Sequence, residues 1–115
     1  MKGNCFEVHG RVMLDVRNIL LKIHVTGELY LVHGEVTGSA GDVKGVKYAH
    51  CWLEDNFMVH DLSNDRSISI PKMAYYAVGK IVNKEGKLHK YSKEEACAKM
   101  CETGHFGSWE LTCEL

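Results

Sequence analysis

Residues Tyr48 to Asp61 read YAHCWLEDNFMVHD, two runs of aromatic and β-branched residues joined by Asp55-Asn56. Turn-formers between two such runs mark a β-hairpin, because Asp and Asn tolerate the positive φ of a two-residue type I′ turn. A turn centred on Asp55-Asn56 predicts strands over Tyr48–Glu54 and Phe57–Leu62, with His50 directly across from Asp61. Opposed Cβ atoms in an antiparallel pair lie about 4.5–5.5 Å apart, so the carboxylate can accept an imidazole N–H. Alternation puts Tyr48, His50, Trp52, Val59 and Asp61 on one face, and the opposed Cys51 and His60 on the other. A cross-strand His–Asp pair taken alone more often satisfies two polar groups than performs chemistry. A nucleophile elsewhere in the chain decides between these readings.

Outward from the hairpin, Phe6, Met13, Val16, Leu20 and Ile23 recur at helical spacing and predict a helix from residue 5 to about 23, with the ILLKIHV end readable as helix or strand. Leu29–Thr37 reads as a strand, and glycine-rich Gly34–Gly45 as the longest loop. Pro71 is suited to opening a short helix. Ala77–Val82 and Lys87–Tyr91 flank NKEG as a second hairpin. Ser92 and Glu95 form a capping box for a last helix that Gly104 closes. Helices flanking a mostly antiparallel sheet make an α+β fold, with one helix packed on the sheet at each end of the chain.

The whole chain bounds the answer. Its 115 residues, 45% apolar and 25% charged, suit one soluble domain spanning 1–115. A net charge of -1 leaves no basic footprint, so nucleic acid is not an expected partner. No apolar run approaches the roughly 18–20 residues of a membrane span, and MKGNCFEVHGR lacks a secretory apolar core, so no membrane partner is expected. Five cysteines without disulfide-framework spacing point to free thiols in a reducing cytoplasm.

The candidate nucleophile lies in GNCFEVHGR. Asn4 is a good N-cap and Glu7, three residues on, completes a capping box. Cys5 then takes the first helical position, where the positive end of the helix dipole favours thiolate, the nucleophilic form. The alternative is a small buried hydrophobe, which free cysteine often is. Gly10 costs the helix roughly 1 kcal/mol against alanine and so is expected to admit a close neighbour such as a strand. A helix-initial thiol, a strand imidazole and a carboxylate across from it are the three parts of a cysteine-nucleophile triad.

The order GNC, then YAHCWLE, then VHD resembles the transglutaminase-like branch of the papain-like superfamily over roughly Gly3 to Ser63. By that resemblance Cys5 is the nucleophile, His50 the general base and acid, and Asp61 the orienting carboxylate. Trp52 is then the tryptophan of the His-x-Trp stretch. The resemblance also implies a papain/transglutaminase-like core. Only four residues precede Cys5, so the upstream glutamine that papain-type enzymes use in the oxyanion hole has no counterpart here. Asn4 and Trp52 are candidates for the second oxyanion donor, and His33 for lining the site from a neighbouring strand.

Cys51 with His60 is a rival dyad, without a helix dipole or a third group. Cys97, Cys101, His105 and Cys113 match structural zinc spacing weakly, since such sites join two close ligand pairs. No metal or cofactor is therefore expected. HFGSW, residues 105–109, suits a packed turn or pocket edge. Two function classes follow. One is a cysteine hydrolase or acyltransferase acting on a peptide, amide, isopeptide or thioester through a thioacyl-enzyme. The other is a catalytically inactive papain-like binding module in which Cys5 is merely buried. The sequence does not define an oligomeric state.

Overall fold

The computed structural model describes residues 5–20, 22–63 and 66–112. In chain order these form α1 (Cys5–Leu14), α2 (Val16–Leu20), β1 (Tyr30–Thr37), a 3-10 turn (Gly41–Val43), β2 (Lys47–Glu54), β3 (Met58–Asp61), β4 (Ile68–Pro71), α3 (Lys72–Gly79), β5 (Leu88–Tyr91) and α4 (Lys93–Thr103). The strands make one antiparallel sheet in the order β4-β3-β2-β1-β5. The class is α+β. No helix among the described residues is long and apolar enough to cross a membrane.

Both faces of the sheet are covered, and strand alternation sorts the side chains between them. On one face Leu31, Cys51, Leu53 and Tyr91 pack with Met13 of α1, Ile19 of α2 and Ala96 of α4. On the other, Val32, Val36, Trp52 and Val59 pack beneath Tyr75 and Tyr76 of α3. Gly34, paired with His50, makes room for the Trp52 indole, because a Cβ there would fall 2.5 Å from a ring carbon. The Ser92–Glu95 capping box starts α4, and Gly104 closes it at φ 75°.

Four expectations are corrected. The hairpin turn centres one residue later than expected: Leu53 pairs with His60 and Glu54 with Val59. Asp55 occupies the first position of the turn, where its Oδ1 accepts from Phe57 N at 2.8 Å and Met58 N at 2.9 Å. Aspartate is favoured there for this reason. The shift displaces the register by two residues, so each side chain keeps its face while His50 stands diagonal to Asp61 instead of opposite it.

The first helix does not run unbroken to residue 23. It breaks at Asp15, whose N–H turns back to Val12 O at 3.1 Å. The break rotates the apolar stripe, so Ile19 joins Met13 in the core while Leu20 is half exposed. The second hairpin is also absent, because α3 occupies Ala77 and closes with Lys80 in the left-handed region, φ 52°, and Ile81 N–H returning to Tyr76 O. β5 pairs with β1 instead. Finally, Gly10 faces no strand: a Cβ there would lie 2.7 Å from the Phe106 ring.

Asp55 closes the hairpin a second way, through its Oδ2, which lies 2.8 Å from His60 Nε2 with both side chains buried. Removing it orphans two backbone amides and an imidazole. Asp55→Ala is expected to lower unfolding free energy by about 2–4 kcal/mol. Phe57→Ala, at the 66% exposed tip, should change it by less than about 0.5 kcal/mol. Urea denaturation of the two variants against wild type checks the contrast.

Candidate active site

Cys5 opens α1 and is 7% exposed. His9, one turn later on the same helix face, lies with Nδ1 2.8 Å from Cys5 O and Nε2 2.9 Å from Leu62 N. An amide N–H can only donate, so Nε2 accepts and the ring proton sits on Nδ1, donating to the Cys5 carbonyl. A neutral, fully buried imidazole thus fastens the first turn of α1 to the residue that follows Asp61. Burial pushes the His9 pKa down to about 4, against the opposing pull of the Asp61 carboxylate 3.8 Å away.

His50 Nε2 lies 3.1 Å from Asp61 Oδ2, and the Cys5 side chain is near enough to bear on the charge of the same ring. With Nε2 engaged by Asp61, Nδ1 is the ring nitrogen left to serve a nucleophile. Burial disfavours the imidazolium, but the hydrogen bonds and charges of Asp61 and Cys5 outweigh it and lift the His50 pKa to about 9. Burial likewise works against the Asp61 carboxylate. The His50 hydrogen bond and charge, with the Ser63 hydroxyl and amide, nevertheless hold it well below the usual carboxylate range. Tyr75 O–H donates to Asp61 Oδ2 at 2.8 Å, and Ser63 N to Oδ1 at 3.0 Å. Every Asp61 oxygen is therefore engaged, and the site holds a fixed negative charge beside an imidazole that favours its proton.

The remaining candidates are placed differently. Trp52 is fully buried and its indole N–H donates to Glu54 Oε2 at 2.8 Å, so it has no donor to offer an oxyanion. His33 pairs with Cys51 across the sheet, on the face away from His50, and is not among the residues lining the groove beside His50. It is fully buried among Phe6, Tyr91 and Trp109, and burial pulls its pKa down to about 3. Asn4 lies outside the described residues. The rival pair is divided: His60 spends Nε2 on Asp55 and Nδ1 on Ser69 Oγ, while burial pushes the Cys51 thiol up. Among the described residues no cluster of three His, Cys, Asp or Glu side chains suits a metal ion; Cys113 lies outside them.

Three residues around the site escaped the sequence reading. His9 had a signal, its four-residue spacing from Cys5. Ser63 had a weaker one, two positions beyond Asp61. Tyr75 had none, since its contact crosses from α3 to β3. HFGSW acquires a role as a clasp. Phe106 fills the notch at Gly10 with the Arg11 guanidinium 5.3 Å over its ring. Gly107 lies so close to His33 and Phe6 that a Cβ would meet them at 2.6 and 3.0 Å.

On the α3 side of the sheet His50 and Asp61 border an open groove of about 410 Å³, walled by the β1–β2 loop, β4 and α3. Tyr48 also lines it, T-shaped to His50 with ring centroids 5.8 Å apart. No family model, curated protein or solved structure matches this chain.

The histidines predict a specific pH response. His9 and His33 have folded pKa values below the ordinary 6.5, so between about 4 and 6.5 the unfolded chain binds protons that the folded chain refuses. Stability should be lost as pH is lowered through that window, by up to about 1.4 kcal/mol per pH unit for each group. His50 has the opposite sign: its contribution is complete below 6.5 and is lost as pH rises through about 9. Histidine Cε1–H NMR titration should show one ring titrating near 9 and two staying neutral to below pH 5, and His50→Gln should remove the former.

Proposed function

We propose that this protein is a thiol-dependent hydrolase or acyltransferase, a small relative of the transglutaminase-like and papain-like enzymes working in a reducing cytoplasm. The observation that carries this reading is the His50–Asp61 hydrogen bond, with Cys5 at the head of α1 close enough to bear on the charge of the same imidazole. Cys5 Sγ attacks the carbonyl carbon of an amide, isopeptide or thioester. The tetrahedral adduct collapses to a thioester as His50 passes its proton to the departing amine or thiol. Water, or an acceptor nucleophile, then gives its proton to His50 and displaces the sulfur. Asp61 keeps the ring oriented and stabilises the imidazolium. The backbone N–H of Cys5, at the start of α1, is suited to receive the developing oxyanion. Tyr48, whose hydroxyl has no hydrogen-bond partner among the described residues, borders the same space.

A catalytically silent binding domain is the second reading, favoured by the 7% exposure of Cys5. Reaction with a small acylating or Michael-type thiol probe, mapped by mass spectrometry, separates the two. Cys5→Ala should abolish the adduct while leaving the circular dichroism spectrum intact. His50→Ala should slow the adduct by about 10²–10⁴-fold, the usual worth of a general base. Asp61→Asn should slow it less, since the ring survives but loses its preferred tautomer. Cys51→Ser should leave the rate near wild type. Indifference of the rate to both Cys5 and His50 would assign the silent domain.

A further inference from the structure

The groove beside the His50–Asp61 pair has a composition that selects its occupant. Its walls are mainly apolar, from Val36 and Val43 on one side to Ile68, Ile70 and Val78 on the other. Its charged lining residues are His50, Asp61 and Arg66. Asp61 is matched by His50 and saturated by Tyr75 and Ser63. Arg66 is exposed and has no carboxylate partner among the described residues. Among the described residues the lining therefore carries one positive charge without a carboxylate partner, beside mainly apolar walls. The trough meets the candidate triad at His50 and Asp61, which line it. A volume near 410 Å³ falls in the range of sites that enclose small ligands or a few residues of a peptide.

We propose that this groove receives the acyl side of the substrate, and that the acyl group it fits is apolar next to the reacting carbonyl and bears a carboxylate further on, taken by Arg66. The assignment rests on the thiol-enzyme reading for its orientation, because the carbonyl must sit between Cys5 and His50. Guanidinium suits the role: its planar fork takes a carboxylate with two parallel N–H donors, and it stays charged at any working pH. The apolar walls strengthen that contact by keeping water from one side of it. An acyl chain with a cationic group at the same place would meet like charge, so the groove discriminates by repulsion as well as attraction.

The test uses a matched pair of peptide aldehydes, glutaryl-leucinal and its glutaramide counterpart, which differ only in the terminal charge. Each adds the Cys5 sulfur across its C=O bond, with the thiol proton passing to oxygen, and so protects Cys5 from iodoacetamide. The acid should protect at a concentration at least about tenfold lower than the amide, the scale of one charge-assisted hydrogen bond. Arg66→Gln should collapse that ratio to within about twofold, and Arg66→Lys should retain part of it. A ratio near one in wild type, or a preference that survives Arg66→Gln, overturns the assignment. The corresponding non-reactive alcohols, titrated into Cys5→Ala protein while the Ile70 and Tyr75 resonances are followed, report on the groove without the thiol. Failure of both aldehydes together with an Arg66-dependent preference among the alcohols would sink the thiol chemistry and leave the groove standing. Equal binding of the alcohols would sink the groove assignment.

Discussion

The position of Cys5 depends on one neutral histidine. His9 reaches back along its own helix to the Cys5 carbonyl and sideways to the Leu62 amide, so it joins two segments that the chain separates by half the domain. Neither bond is strong alone; a neutral intramolecular hydrogen bond nets about 1 kcal/mol. Together, in a fully buried setting, they allow one arrangement. Sliding α1 by a residue would orphan a ring nitrogen and an amide at once, and buried orphans cost more than satisfied bonds return. The separation of Cys5 from Asp61 is therefore fixed by hydrogen-bond accounting, while the apolar contacts of Met13 set how tightly the helix lies on the sheet.

Around Asp61 the same accounting runs outward. Its carboxylate ties β2 through His50, α3 through Tyr75 and the following turn through Ser63. A second buried carboxylate, Glu54, does the same at the far end of β2, taking the Trp52 indole and the Tyr76 hydroxyl and pairing with Lys90 at 3.0 Å. α3 is thus pinned to the sheet by two neighbouring tyrosines reaching two different carboxylates. That fixes one wall of the groove relative to the imidazole at its edge.

The hairpin shows how much of this was legible. Its existence, its faces and the proximity of His50 to Asp61 followed from alternation and from two turn-forming residues. The turn centre did not, because Asp55 serves equally well inside a turn or at its first position, and only its tertiary bond to His60 decides. The error spared the faces, since a turn displaced by one residue shifts the register by two, the side-chain period of a strand. The α1 boundary failed for a different reason. Leu20 and Ile19 are both apolar, and which one the core accepts depends on the break at Asp15. Ala77–Val82 reads as a strand on β-propensity, yet its first three residues complete α3, which Lys80 closes in the left-handed region. Trp52 was misassigned because its indole partner, Glu54, lies two residues away on the same face, a spacing that sequence treats as ordinary. Of the residues holding the site, those near it in the chain left a trace; Tyr75 and Phe106, brought there by the packing of distant elements, left none.

The clasp formed by Phe106 and Gly107 has a consequence in time. In a chain made from its N-terminus, α1 emerges long before residues 105–109 exist, so the notch at Gly10 and the space over His33 stand empty until that segment is made. α4 and β5, which carry the clasp back to the sheet, also come late. Domains fold as units once their parts are present, and here the part that seats the first helix is made well after the helix itself. A partly made chain would hold Cys5 on a helix with an unfilled flank. The thiol is locked into place beside His50 only when the late segment folds back over the early one.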